Sequence, residues 1–274
     1  MLARDTLSSS LLDSEYPLSA EQTSSYRRDG FILLPGVASA SEVATYRPAI
    51  QTAVKKKFSE KDERGGTKEY GRYFGQVTNV WQRDEMLRRF IFARRFARIA
   101  AALMGVKGVR LYHDQALFKP AGGRGTPWHQ DQFYWPLETM HTVTMWMPLV
   151  DAPRESGTMS FASGSHHTGS LIDLSISDES HKQFDELIAR RKFPVVDYTL
   201  SAGDATFHSG WTVHSAHANS GTRMREVITI IYFAEGTRIM QPDSEYRKVD
   251  MEVFHPGQKP GEFAASPLNP LLYP

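Results

Sequence analysis

Between residues 105 and 235 one local pattern recurs that few folds accommodate. Short runs rich in β-branched and aromatic residues occupy 109–118, 142–149, 193–200, 205–208 and 227–233. Turn-forming stretches cut them apart: Pro120-Ala121-Gly122-Gly123, Glu155-Ser156-Gly157, Ser163-Gly164-Ser165 and Ala202-Gly203-Asp204. Several short strands punctuated in this way predict an antiparallel sandwich or jelly roll. One helical insertion interrupts them at 178–191, where Phe184, Leu187 and Ile188 recur at helical spacing.

The residues before Gly105 read mainly as helix. Ser19 caps a helix through 29, which Gly30 breaks ahead of the apolar run 31–34. Ser39 or Ser41 caps a second, amphipathic helix towards 58, with Lys55, Lys56 and Lys57 at its solvated C-terminal end. The charged stretch 61–66 reads as a loop. A third helix spans 93–104, with Arg94, Arg95 and Arg98 on its wet face. The proline-rich tail from 241 is weakly patterned and reads as a loop packed on the surface. The economical organisation is a single mainly-β domain over all 274 residues. Residues 1–105 form helical support, 106–235 a jelly-roll core with an insertion near 171–192, and 236–274 a C-terminal tail.

Composition removes several function classes. The chain has no cysteine, which excludes disulfides, thiolate zinc sites, iron–sulfur clusters and a cysteine nucleophile. Lys plus Arg number 32 against 31 Asp plus Glu, so the basic excess expected of a nucleic-acid binder is missing. No run approaches 18 apolar residues, so no membrane-crossing helix is expected. Residues 1–10 lack the apolar centre of a signal peptide. The expectation is a soluble cytoplasmic protein acting on a small molecule; nothing in the sequence sets its oligomeric state.

Two clusters carry the chemistry. In Trp128-His129-Gln130-Asp131 the His and Asp lie two apart, so on an extended chain their side chains share a face and can share one metal ion. Two ligands hold an ion poorly, and a third must come from elsewhere. The stretch 203–225 offers His208, His214 and His217, with Arg223 and Arg225 following. Two histidines and one carboxylate on one face of an octahedral ion form the facial triad of non-haem Fe(II) oxygenases.

The order of these motifs resembles the phytanoyl-CoA dioxygenase family of Fe(II)/2-oxoglutarate-dependent oxygenases. The anchors are the 128–131 motif, Glu155-Ser156-Gly157, Gly164-Ser165-His166, Gly203-Asp204, and His214 with Asn219 five and Arg225 eleven residues later. The resemblance implies a cupin-like double-stranded β-helix with iron held by His129, Asp131 and His214. It implies 2-oxoglutarate as co-substrate with O2, its 5-carboxylate gripped by Arg225, with Arg223 the alternative, and Trp146 beside it. A charge-matched, two-pronged donor suits a carboxylate inside a dry barrel. Family members often carry Ser or Thr where this chain has Ala216, so Thr144 or Ser215 is expected to supply the second hydrogen bond.

Asp131 is retained, so the expected outcome is hydroxylation with release of succinate and CO2, not halogenation. Family pockets imply that Asn79, Gln82, Tyr112, Gln115, Lys119, Tyr134 and Trp135 meet the substrate. Gln115 and Lys119 share parity with His113 and Leu117, with Tyr112 on the opposite face. That set suits a small polar metabolite, with an organophosphonate or a natural-product intermediate as candidates. An acyl-CoA hydroxylase and a non-catalytic metal-binding jelly roll are the alternatives.

Overall fold

In the computed structural model, which describes residues 11–63 and 75–274, the strands run in chain order β1 (Phe31–Leu34), β2 (Gly75–Thr78), β3 (Val109–Lys119), β4 (Thr126–His129), β5 (Thr142–Pro148), β6 (Met159–Ala162), β7 (Val195–Asp197), β8 (Ala205–Ser209), β9 (His214–Ala216), β10 (Arg225–Ala234) and β11 (Leu271–Tyr273). The larger sheet has the order β1-β8-β5-β10-β3-β11, with β2 also on β3, and the smaller has β4-β9-β6-β7. Their pairings are antiparallel. This is the expected jelly roll.

Period-two alternation sorts the larger sheet into two faces. Val143, Met145 and Met147 of β5, Ile228, Ile230 and Tyr232 of β10, and Ala205 and Phe207 of β8 join one apolar core with the N-terminal helices. Their alternating neighbours Thr144, Trp146, Arg225, Thr229, Ile231 and His208 line a cavity on the opposite face. One irregularity matters for the site. β10 pairs Ile231 with His113 but Tyr232 with Leu111, so Tyr112 is the extra residue of a bulge. Tyr112 therefore escapes the strand's parity and joins a cluster with Trp135, Phe233 and Phe254.

Helix α1 (Ala20–Asp29) starts at a capping box of Ser19 and Gln22 and stops at Gly30, whose φ of 85° suits glycine. Helix α2 (Ala40–Glu63) runs past the expected end at 58, so the three lysines lie inside it and 61–63 are helical. The rest of the expected loop, like the segment 1–10, lies outside the described residues. Helix α3 (Glu85–Ile91), capped by Asp84, was not anticipated, and α4 (Arg94–Met104) covers the third expected helix. Arg94 and Arg98 are exposed, but Arg95 is not. Its guanidinium is buried against Glu42 at 2.9 Å and donates to the Val37 carbonyl at 3.0 Å. The partner carboxylate, invisible in the local helical pattern, draws Arg95 inside.

The insertion is helix α5 (Asp178–Arg191), burying Phe184, Leu187 and Ile188 as expected. The expected strand at 193–200 contracts to β7. The tail departs most from expectation. It contains helix α6 (Glu245–Phe254), capped by Ser244, and β11, which adds an edge to β3. Among the described residues no helix is long and apolar enough to cross a membrane.

Candidate active site

Strands β4 and β9 are neighbours in the smaller sheet, with His129 opposite His214 in their register. Asp131 follows β4 in a short 3-10 turn. Ligand atoms of His129, Asp131 and His214 all lie within 4.8 Å of one another. His129 Nε2 is 3.5 Å and His214 Nε2 3.6 Å from Asp131 Oδ1. Each ring is oriented from behind, Nδ1 of His129 lying 2.8 Å from the Pro127 carbonyl and Nδ1 of His214 2.9 Å from that of Thr212. Donation from Nδ1 to a carbonyl leaves Nε2 with a lone pair turned inward, which is how metal-binding imidazoles are fixed.

The other oxygen of Asp131 is held separately. Thr144 Oγ1 donates to Oδ2 at 3.0 Å, and His208 Nε2 sits 3.3 Å from it. Burial alone raises the carboxyl pKa, but the surrounding histidines, His214 first, hold it well below the usual carboxylate range. Burial, then the neighbouring His129, push His214 well below the ordinary histidine value. The site is therefore an ionised carboxylate with a neutral His214 beside it, the donor states a divalent ion requires. His208, one of the three histidines the sequence offered as third ligand, is not in the cluster but stands behind it. Its place on β8, in register with Thr144, brings it to Asp131.

Arg225 lies across the same cavity, 2% exposed. Its Nη1 donates to the Gly157 carbonyl at 2.5 Å, its Cζ stands 5.4 Å from the centre of the Trp146 ring, and its buried Nε has no partner. Burial pushes its pKa down to about 9. A buried guanidinium with an unused donor is a site for an anion. Gly157 explains the Glu155-Ser156-Gly157 motif: its φ is +88°, and a Cβ there would meet the His217 carbonyl at 2.6 Å. Arg223 is exposed, and only its backbone carbonyl takes part, accepting from Asn219 Nδ2 at 2.8 Å. The same Asn219 amide donates to the Lys119 carbonyl, tying the end of β3 to the segment entering β10.

Trp146, Thr144 and Ser215 all line the cavity, but Thr144 already donates to Asp131. Gln115, Tyr134 and Trp135 line it as expected. Four expected substrate residues do not. Asn79 sits in a left-handed turn whose following amides, Val80 and Trp81, donate to Asp114 on the helix-facing side of β3, and Gln82 is exposed beyond it. Lys119 shares the parity of Gln115 but lies past the cavity, opposite Arg225 in register, with Nζ donating to the His217 carbonyl at 2.7 Å. Burial and then Arg225 push its pKa down to about 7. Tyr112 is fully buried, and the bulge turns its hydroxyl to the Asp250 carboxylate. Sequence reasoning missed Asp250 and Phe254 of α6; it put His113 on the Gln115 face but did not single out Gln76, Thr78 or Ile176. The cavity has a volume of about 390 Å³.

The model of the phytanoyl-CoA dioxygenase (PhyH) family matches residues 26–227. The chain is 23% identical over 235 residues to an ectoine dioxygenase of Bordetella parapertussis, covering 78% of this chain and 75% of that protein. Among solved structures it resembles the non-haem α-ketoglutarate-dependent carbocyclase SnoK of nogalamycin biosynthesis, with 25% identity, a TM-score of 0.74, and coverage of 93% and 96% of the two chains. It also resembles the epimerase SnoN in complex with Fe3+, α-ketoglutarate and nogalamycin RO, with 27% identity, a TM-score of 0.72, and coverage of 92% and 97%. With this match spanning most of the jelly roll and the His129, Asp131 and His214 cluster inside it, the chain belongs to the phytanoyl-CoA dioxygenase family and is a non-haem Fe(II)- and 2-oxoglutarate-dependent oxygenase.

Proposed function

We propose that the protein hydroxylates a C–H bond of a small polar metabolite, releasing succinate and CO2, with iron held by His129, Asp131 and His214 and the 5-carboxylate of 2-oxoglutarate held by Arg225. One observation carries this reading: a two-histidine, one-carboxylate cluster and a buried guanidinium with an unpartnered Nε line one cavity. When bound, iron and 2-oxoglutarate supply the oxidising chemistry, coupling decarboxylation to insertion of an oxygen atom from O2. The chain supplies orientation. The carbonyls of Pro127 and Thr212 fix the two imidazoles, and Thr144 and His208 turn Asp131 so that Oδ1 faces both Nε2 atoms. Arg225 spends Nη1 on Gly157 and keeps its remaining donors for an anion, beside the ring of Trp146. Ser215, rather than Thr144, is then the hydroxyl left to assist it.

The substrate meets the other end of the cavity, at Gln115, Tyr134 and Trp135. A cavity of about 390 Å³ that also takes 2-oxoglutarate fits a small metabolite better than an acyl-CoA. Among the described residues Arg225 is the one Lys or Arg side chain lining it, so an organophosphonate would find no charge partner of its own. The test is a metabolite library with Fe(II), 2-oxoglutarate and O2, read as substrate-stimulated succinate formation coupled to a hydroxylated product. Stimulation by none of the polar members, with acyl-CoA thioesters active instead, would overturn the reading.

A further inference from the structure

We propose that the substrate carries a protonated amine and that Asp250 is the residue that selects it, a proposal that rests on the function assigned above. Asp250 lies on α6, beyond the residues 26–227 that the family model matches. Asp250 and Phe254, four apart and so on one helix face, both line the cavity. Tyr134 and Trp135 line it too, and the insertion is pinned to this end by the Ile176 amide, which donates to the Tyr134 hydroxyl at 2.8 Å. A carboxylate among aromatic rings is the chemistry that recognises an ammonium group.

The carboxylate is held but not neutralised. The bulge at Tyr112 aims its hydroxyl at Asp250 Oδ2, and this is the one hydrogen bond to Asp250 among the described residues. Burial, then Asp250, push the Tyr112 pKa well up, so the phenol keeps its proton and donates it to the carboxyl group. No basic side chain among the described residues forms an ion pair with Asp250. Arg247, on the same helix, is 2.8 Å from Asp243 instead. His113 and His255, both packed against Tyr112, are pushed by burial down to about 3 and about 4, and so are neutral. Burial and then Asp131 raise the Asp250 pKa to about 7, the mark of a carboxylate lacking a positive partner. A ligand ammonium supplies that partner, and an anionic ligand would add to the repulsion.

The experiment uses the protein loaded anaerobically with Fe(II) and 2-oxoglutarate, titrated with benzylamine and with its neutral and anionic counterparts, benzyl alcohol and benzoate. Iron and 2-oxoglutarate loading, read by absorption before any probe is added, checks the assigned function separately. Benzylamine is expected to bind at least tenfold tighter than benzyl alcohol, with benzoate weaker still. In Asp250→Asn the amine preference should fall below threefold, and in Tyr112→Phe, a near-isosteric change, it should shrink but keep its sign. Equal binding of amine and alcohol, tighter binding of benzoate, no binding of benzylamine, or a preference that survives Asp250→Asn would each overturn the proposal. The last result would mean that the amine binds elsewhere, the iron included.

Discussion

At the iron-facing end of the cavity, nearly every reactive side chain sits on or beside a sheet strand and is braced from behind. His129 and His214 lean on backbone carbonyls, Asp131 on Thr144 and His208, and Arg225 on Gly157. At the substrate end the wall is borrowed: Ile176 comes from the insertion, and Asp250 and Phe254 from α6. The first end depends on strand register, which a one-residue slip would destroy. The second depends on segments outside the two sheets, packed against them through Phe184 and Phe254. On the proposed function, chemistry and selectivity fall to different parts of the chain, and substitutions should separate them.

The largest expected effect falls at the iron end. His129→Ala or Asp131→Ala should lower Fe(II) affinity by more than about 100-fold, beyond the loss typical of substitutions behind the ligands, as checked by metal analysis after dialysis. Next, Arg225→Ala should raise the 2-oxoglutarate dissociation constant at least tenfold, since losing the partner of a buried charge costs about 2–5 kcal/mol. Calorimetry on the iron-loaded variant checks this, and Arg223→Ala, at an exposed position, should leave the constant within twofold. If Arg223→Ala has the larger effect, the register of β10 is misread.

Lys119 sharpens the comparison through pH. Its folded pKa of about 7 lies below the ordinary lysine value of 10.5, so between these values the unfolded chain binds more protons and stability rises with pH. Lys119→Met should flatten that rise between pH 7 and 9 by up to about 2 kcal/mol, measured by urea denaturation without co-substrate. An unchanged slope would place the lysine in a wetter setting. The smallest effect belongs to the substrate end. Gln115 accepts from Gln76 Nε2 at 3.0 Å in a half-exposed position, and Gln115→Ala should raise the substrate KM by about two- to tenfold, as for one modest hydrogen bond.

The same division governs what could be read in advance. Ser19 and Gly30 bound α1 in the sequence as in the structure, and β3 and β10 lie within two residues of their expected limits. The His129 and Asp131 pair is legible because two-residue spacing is a property of the extended chain. Arg225 outranks Arg223 because its distance of eleven residues from His214 is the spacing that the family resemblance implies. The substrate end was not legible, for identifiable reasons. Helix α6 leaves Tyr246, Val249 and Val253 exposed and buries Phe254, so its apolar residues announce no core-facing stripe. The bulge reverses the parity of Tyr112, and no turn residue marks it. Lys119 has the parity expected of it but does not line the cavity, its Nζ being turned to the His217 carbonyl.

The central claim is that one cavity holds iron at His129, Asp131 and His214 and 2-oxoglutarate at Arg225. Anaerobic titration with Fe(II) and then 2-oxoglutarate, followed by the charge-transfer absorption of the chelated ion, tests it most directly. One iron and one 2-oxoglutarate per chain should be bound, with the absorption absent in Asp131→Ala and needing at least tenfold more 2-oxoglutarate in Arg225→Ala. Full iron loading of Asp131→Ala, or an unchanged 2-oxoglutarate requirement in Arg225→Ala, would contradict the account.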